Sequence, residues 1–351
     1  MCKTWKRISL FGAVFLVFVL AFGVSVPKAD AAQFNLSFAA HDPATTSQMR
    51  AHQVWIDRIR ERTGGRVEIT MFAGGSLAGP MAVLDSVKSG AADIVWVFTT
   101  FYPGQFPIAD AVALPLLGVE TTTQGTQALW DLYETTPALR ADLNRDNFKL
   151  LMLYTNPRNF ITTSKKPVRT VDDMKGLKLR APAGTATEMV KAWGGVPILM
   201  GPGDIYQAVE KGVLDGFVFE YSGIDNFKLW EVAKFYTEIP FYVGPFLTLI
   251  NKSTFDKLPT DVQKIIEEES GRAMSMTLAA AFQKSADEVR TMIMTQKGGT
   301  AIEISGATRD GFVKAADAVT ADWIAKNNSA SFDARAYVNR LRELVAKYAG
   351  S

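Results

Sequence analysis

The spacing of apolar positions changes several times along the chain, and each change predicts an element. Ile8 to Val24 is one apolar run without a charge. Asn35 to Ala39 then alternates toward apolar residues and predicts a strand, and Thr45 to Arg62 brings Met49, Trp55, Ile56 and Ile59 near one helical face. Gly64-Gly65 ends that helix as a left-handed cap. Val67, Ile69 and Met71 alternate with polar neighbours and predict a second strand. The Gly74-Gly75-Ser76 loop leads to a helix carrying Val83, Leu84 and Val87, closed at Gly90, and then to an apolar strand from Asp93 to Phe98. Strand and helix alternating at this pace predict an α/β class with a mainly parallel, doubly wound sheet.

The same grammar returns in the second half. Leu84 to Val97 reads LDSVKSGAADIVWV and Tyr206 to Phe219 reads YQAVEKGVLDGFVF. Each is a helix ending at Lys and Gly, two further residues, an Asp, and a buried strand. Two copies predict two similar lobes, although any α/β protein joins helices to strands with Gly and Asp. Between them, Lys149–Tyr154, Phe160–Ser164, Leu177–Arg180 and Val196–Met200 predict strands, and Thr185–Trp193 a helix. Thr170–Lys175 predicts a short helix with Asp172 and Asp173 in its first turn, where carboxylates suit the helix dipole. Phe246–Asn251 predicts another strand, and Thr260–Thr295 and Thr308–Lys347 are helical with few breaks. Asn156-Pro157 and Gly244-Pro245 are the expected crossings between lobes, since X-Pro steps favour extended backbone.

Charge and cysteine change this picture mainly at the N-terminus. Lys3, Lys6 and Arg7 precede the first apolar run, and Ala29-Asp30-Ala31 follows it, the layout of a secretory signal peptide over residues 1–31. The rival reading, a membrane anchor, wants a run of about 20 apolar residues, and this one is shorter. The only cysteine, Cys2, lies before the run, so it is not the lipid-bearing cysteine that would follow one. The expectation is export to the periplasm as a chain starting at Ala32 or Gln33, without disulfides. Of 38 basic and 36 acidic residues, four basic (Lys3, Lys6, Arg7, Lys28) and one acidic (Asp30) fall in the leader, leaving 34 and 35 and a net charge of −1. A nucleic-acid partner would need a basic excess on the domain itself, so none is expected. The remaining length exceeds one compact core of usual size, and two domains follow.

Enzyme chemistry fails mostly by subtraction. The two histidines, His41 and His52, and the lack of any cysteine after Cys2 argue against a zinc site of His or Cys ligands and against a Cys nucleophile. Neither a G-x-S-x-G elbow nor a Walker A loop occurs. Gly201-Pro202-Gly203 follows a strand, but Tyr206 occupies the third glycine position of a dinucleotide loop and would block approach to a pyrophosphate. His41, in the loop after the first strand, is a candidate to orient a ligand; His52 reads as a surface residue.

Several segments resemble the solute-binding proteins of tripartite ATP-independent periplasmic (TRAP) transporters, the DctP-type family. They are Thr63-Gly64-Gly65-Arg66-Val67, FYPGQFPIADAVALPLL from Phe101, TTSKKPVRTVDDMKGLKLRAPAG from Thr162, and DIYQAVEKGVLDG from Asp204. The resemblance implies a two-lobed periplasmic-binding-protein fold, type II-like, with a long C-terminal helix bridging the lobes. It also implies a small organic acid as ligand, integral membrane transporter subunits as partners, and neither catalysis nor a cofactor. Lobe I is expected over 32–155 plus about 245–285, and lobe II over 156–244 plus about 286–351. A binding component of an ATP-driven importer, a ligand sensor for a receptor, or an exported α/β enzyme using Glu220 or His41 as base are the alternatives.

The resemblance makes Arg180, at the end of the KGLKLR strand, the main ligand contact, and Arg158 a second. Chemistry supports Arg180 separately: ligands of open α/β sheets bind outside the carboxyl ends of strands, and a planar guanidinium matches a carboxylate with two parallel hydrogen bonds. Free amides at the start of the helix near Thr185 are expected to add to a positive site. Strand alternation puts Trp96 with Phe98, and Phe217 with Phe219, on shared faces, with Thr99 at the rim. Phe246 is a further candidate wall, and Glu220 a candidate acceptor or partner for an arginine. Bulky aromatics are more often core than ligand contacts. Taken together, these predict a monocarboxylate with an aliphatic or aromatic body, because buried hydroxyls or a second carboxylate would lack partners among them.

Overall fold

The computed structural model describes residues 33–350. The expected leader, its cleavage site and Cys2 lie outside the described residues. The chain opens with β1 (Phe34–Ala39), α1 (Ser47–Arg62), β2 (Val67–Phe72), α2 (Val83–Ser89) and β3 (Ile94–Phe98). Thr46 caps α1 by accepting a hydrogen bond from the Met49 amide, and Gly90 closes α2 at φ 79°. Two helices not read from the sequence follow, α3 (Thr122–Thr135) and α4 (Pro137–Asp142), before β4 (Phe148–Thr155). Next come β5 (Asn159–Thr163), β6 (Lys178–Arg180), α5 (Thr185–Ala192), β7 (Val196–Ile198), α6 (Ile205–Glu210), β8 (Gly216–Phe219), α7 (Tyr221–Asn226) and β9 (Phe235–Tyr242). The chain ends with β10 (Pro245–Asn251), α8 (Lys252–Lys257), α9 (Thr260–Glu269), α10 (Gly271–Gln296), β11 (Thr300–Ile302), α11 (Gly306–Asn327) and α12 (Ala334–Lys347). The expected short helix at Thr170 is a 3-10 turn, Val171–Met174, held by a reciprocal cap between Thr170 and Asp173.

The strands form two sheets, β2-β1-β3-β10-β4 and β11-β9-β5-β8-β6-β7. In the first, β1 runs parallel to β2 and β3 and β10 runs antiparallel to β3; in the second, β6 runs parallel to β7 and β8 and β5 runs antiparallel to β8. The two halves are thus built alike, and each sheet is mainly parallel with one reversed strand, β10 in the first and β5 in the second. The strand that follows each crossing is the one that reverses. The repeated Asp plays one part twice: Asp93 accepts from the Ser37 amide of β1 and Asp215 from the Lys178 amide of β6, each pinning the neighbouring parallel strand. The second copy carries Gly216 after its Asp because β8 runs so close to β5 that a Cβ there would lie 2.1 Å from the Thr162 carbonyl.

The chain passes between the sheets from β4 to β5 at 156–158 and from β9 to β10 at 243–244. Asn156 ties the two crossings: its amide donates to the Gly244 carbonyl (3.1 Å) and its Oδ1 accepts from the Gly244 amide (2.7 Å). A Cβ at Gly244 would meet the Phe98 ring at 2.4 Å. Helix α10, 26 residues and therefore about 39 Å long, packs on α1, α3 and β4 on one side and on α7 on the other. It bridges the lobes. The helical stretch from Thr260 is interrupted where α10 begins, at Gly271, which adopts φ 69°. Helix α11 packs on α5 of the second lobe, but α12 packs on α3, so the chain end returns to the first lobe instead of staying with the second. Among the described residues no helix is long and apolar enough to cross a membrane.

Candidate ligand-binding site

A cavity lies between the lobes where four parallel strands end. His41 and Asp42 follow β1, Phe98 ends β3, Arg180 ends β6, and Phe219 and Glu220 follow from β8. Six phenylalanines, Phe98, Phe101, Phe219, Phe227, Phe246 and Phe282, form its walls, the last contributed by the bridging helix α10. Asn156 and Asn159 come from the first crossing, and Tyr242 precedes the second.

Arg180 is 2 % exposed. Its Nε donates to the Met200 carbonyl (3.2 Å) and its Nη1 to the Val218 carbonyl (3.3 Å), which fix the plane of the guanidinium. The Phe219 ring lies 5.1 Å from its Cζ, and the Phe101 ring 5.9 Å. Burial draws its pKa down to about 10, so it stays charged at neutral pH. Among the described residues it forms no ion pair with a carboxylate, and its remaining N–H groups are free to take an anion. Two buried polar atoms beside it have no partner: His41 Nδ1 and the Tyr242 hydroxyl. Burial, and secondarily the Arg180 charge, push the His41 pKa down to about 3, so this ring is a neutral hydrogen-bonding group. Burial raises the Tyr242 pKa and keeps its proton on.

The two carboxyls of the cavity differ in their use. Glu220 caps α7: it accepts from the Ser222 amide (2.7 Å), the Ser222 hydroxyl (2.6 Å) and the Gly223 amide (2.6 Å). It pairs with neither arginine. Asp42 Oδ2 accepts from Gln48 Nε2 at 3.1 Å, while Oδ1 stands 3.8 Å from His41 Nε2, beyond hydrogen-bond reach. Burial raises both carboxyls to about 7, and for Asp42 the facing Glu220 adds to the effect.

This has a measurable consequence. In the unfolded chain Asp42 loses its proton near 3.8, so between about pH 4 and about pH 7 the folded chain holds a proton that the unfolded chain has released. Stability from this group is present below that window and is lost as pH rises through it. His41 acts in the opposite sense and Glu220 in the same one, so the parent's own profile mixes these groups. The difference between parent and Asp42→Asn isolates the carboxyl. The melting temperature of the variant relative to the parent is expected to climb as pH rises from about 4 to about 7. A difference that stays flat across that range would mean the Asp42 carboxyl is unperturbed.

The structure brings only part of the expected set to this cavity. His41, Phe98, Arg180, Phe219, Glu220 and Phe246 line it. Trp96 does not: it is fully buried behind the wall, stacked between His41 (4.6 Å) and Phe246 (4.5 Å), with Nε1 donating to the Tyr154 hydroxyl. Phe217 is likewise core, packed in the second lobe. Thr99 is buried, its hydroxyl donating to Asp110 Oδ1 at 2.5 Å. Arg158 points to the outer side of the crossings, where it pairs with Glu120 and lines a separate pocket with Glu238 and Arg290. The start of α5 also faces elsewhere: Gly184 and Thr185 line another groove. His52 is buried, held between the Gln48 carbonyl (2.7 Å) and the Thr248 hydroxyl (3.0 Å). The sequence pattern does not single out Asp42, Phe101, Phe282, Asn159 or Tyr242. The only signal for them was their nearness to a strand end, a crossing or the bridging helix.

Two related lobes, a pair of crossing strands, a bridging helix and one buried cationic site between strand ends define a two-lobed solute-binding protein. The model of bacterial extracellular solute-binding proteins, family 7, matches residues 38–327, and the chain belongs to this family: it is a DctP-type TRAP solute-binding protein. The chain is 28 % identical over 320 residues to the 2,3-diketo-L-gulonate-binding periplasmic protein of Escherichia coli, covering 88 % of this chain and 95 % of that one. A TRAP solute-binding protein of a marine metagenome, specific for aromatic acid ligands and solved with metahydroxyphenylacetate, superposes with a TM-score of 0.84 at 26 % identity over 90 % of this chain and 99 % of that one. One from Rhodoferax ferrireducens, solved with copurified benzoate, gives 0.81 at 26 % identity over 90 % and 98 %.

Proposed function

We propose that this chain is the periplasmic capture component of a TRAP transporter and that it binds an aromatic or apolar monocarboxylate, which it passes to integral membrane subunits. The observation that carries this reading is a buried, unpaired guanidinium, Arg180, in a cavity walled by six phenylalanines. The carboxylate sits on Arg180, with His41 and Tyr242 in place to hydrogen-bond it. The apolar body lies against the rings, and closure of the lobes dries the pair and strengthens it. The similar proteins solved with an aromatic hydroxy acid and with benzoate support the same class. The relative that binds a diketo sugar acid points the other way. A chain of hydroxyls against these walls would leave groups unmatched, at about 1–3 kcal/mol each.

Calorimetry of the refolded, ligand-stripped protein tests this against benzoate, phenylacetate, succinate and a sugar acid. The aromatic monocarboxylates are expected to bind at least tenfold more tightly than the other two, a gap of about 1.4 kcal/mol. Tight binding of succinate or the sugar acid with silence from the aromatic acids would overturn the reading.

A further inference from the structure

Apart from the groups around Arg180, the cavity holds one carboxyl that the protein positions but does not fully use. Asp42 is held at two atoms. Its carbonyl accepts from the Gly74 amide at 2.8 Å. Its Oδ2 accepts from Gln48 Nε2, and Gln48 is itself oriented by the Ser47 hydroxyl, which donates to its Oε1 at 2.8 Å. Its other oxygen, Oδ1, faces the cavity with no donor among the described residues within hydrogen-bond reach; His41 Nε2 lies 3.8 Å away. Glu220, the second carboxyl of the cavity, accepts three hydrogen bonds as a helix cap and has no comparable spare side.

An unsubstituted aromatic acid on Arg180 would leave the Asp42 oxygen desolvated and unmatched, and a buried acceptor in that position costs far more than an exposed one. A donor carried on the ligand removes that cost. A hydroxyl suits the place better than an ammonium, because a full charge is much more expensive to desolvate among phenylalanine rings. Asp42 comes from the lobe opposite Arg180, after β1 instead of β6, so the donor belongs on the body of the ligand and not on its carboxylate. We infer that Asp42 is a specificity-determining residue which accepts a hydrogen bond from a ring hydroxyl, so that hydroxy-substituted aromatic monocarboxylates are the preferred ligands.

This rests on the function proposed above and refines it. The test measures affinities of the parent, Asp42→Ala and Asp42→Leu for two matched pairs, 3-hydroxybenzoate with benzoate and 3-hydroxyphenylacetate with phenylacetate. In the parent, the hydroxylated member of at least one pair is expected to bind tenfold or more tightly, as in sites built around a substrate hydroxyl. Asp42→Ala is expected to bring that ratio to within about twofold by weakening the hydroxylated ligand alone. Asp42→Leu, which fills a similar volume without an acceptor, supplies the same comparison should the alanine variant fail to fold. A parent without preference, or a preference that survives both substitutions, overturns the role of Asp42 while leaving the aromatic-acid site standing. Failure of all four acids to bind the parent overturns the site reading and this inference with it.

Discussion

Replacing Arg180 with alanine is expected to remove most of the ligand affinity while the lobes still fold. Truncating one partner of a buried, hydrogen-bonded charge pair costs about 2–5 kcal/mol, or about thirtyfold to a few thousandfold in affinity. The fold should tolerate the change, because Arg180 has no ion pair to abandon and its two bonds to Met200 and Val218 are made within its own lobe. Losing them costs about 1–3 kcal/mol, within the margin of an ordinary domain. Arg180→Lys is the sharper variant. Lysine keeps the charge but presents it as a point, without the planar fork that the two carbonyls hold in register. Its affinity should therefore stay much nearer to that of the alanine variant than to the parent. Calorimetry with circular dichroism as the check on folding decides it, and an alanine variant binding within twofold of the parent would end the assignment.

Phe246→Ala is expected to cost both stability and affinity. Its ring stacks on Phe98 at 4.4 Å and on Trp96 at 4.5 Å, lies 5.8 Å from Tyr154, and meets Phe282 of the bridging helix at 5.9 Å. It is therefore core of the first lobe and wall of the cavity at once. Truncating a buried phenylalanine costs about 3–5 kcal/mol through lost transfer energy and the cavity left behind. Phe246→Leu refills most of that volume and should lose about half as much stability or less. Urea unfolding at constant slope gives the first quantity, and titration with an aromatic acid gives the second. A loss below about 1 kcal/mol for the alanine variant would mean that the aromatic stack closes over the gap.

These two residues were visible in the sequence for different reasons. Arg180 follows a short strand and precedes Pro182, so its place at a strand end was legible from local pattern, and the strand-end rule gave it chemistry. The aromatic walls were only half legible. Trp96 and Phe98 share a face, as do Phe217 and Phe219, yet in each pair the last residue lines the cavity and the one two places earlier is core. Alternation fixes which face a side chain takes; depth along the strand decides whether it reaches the cleft, and that depends on what packs across it. Thr99 begins a 3-10 turn that turns its hydroxyl to Asp110 and presents Phe101 to the cavity. Arg158 sits at the first crossing, but its direction depends on Glu120, in a segment with no sequence signal for a partner. Strand β9 escaped notice because Glu238 and Pro240 interrupt its apolar run. The charge at Glu238 is matched from outside the strand, by the fork of Arg290 on α10 at 2.7 and 2.8 Å.

The two hydrogen bonds between Asn156 and Gly244 join the two crossings into a single axle. One end of that axle touches the ligand cavity through Asn156, and the other presses on the Phe98 ring through Gly244. Any change in the angle of the lobes therefore changes the shape of the wall, and any ligand that prefers one position of the wall prefers one angle. Thermodynamic reciprocity makes these the same free energy, measured from either end. The hinge is thus a dial on affinity that can be turned from Gly244, which does not itself line the cavity.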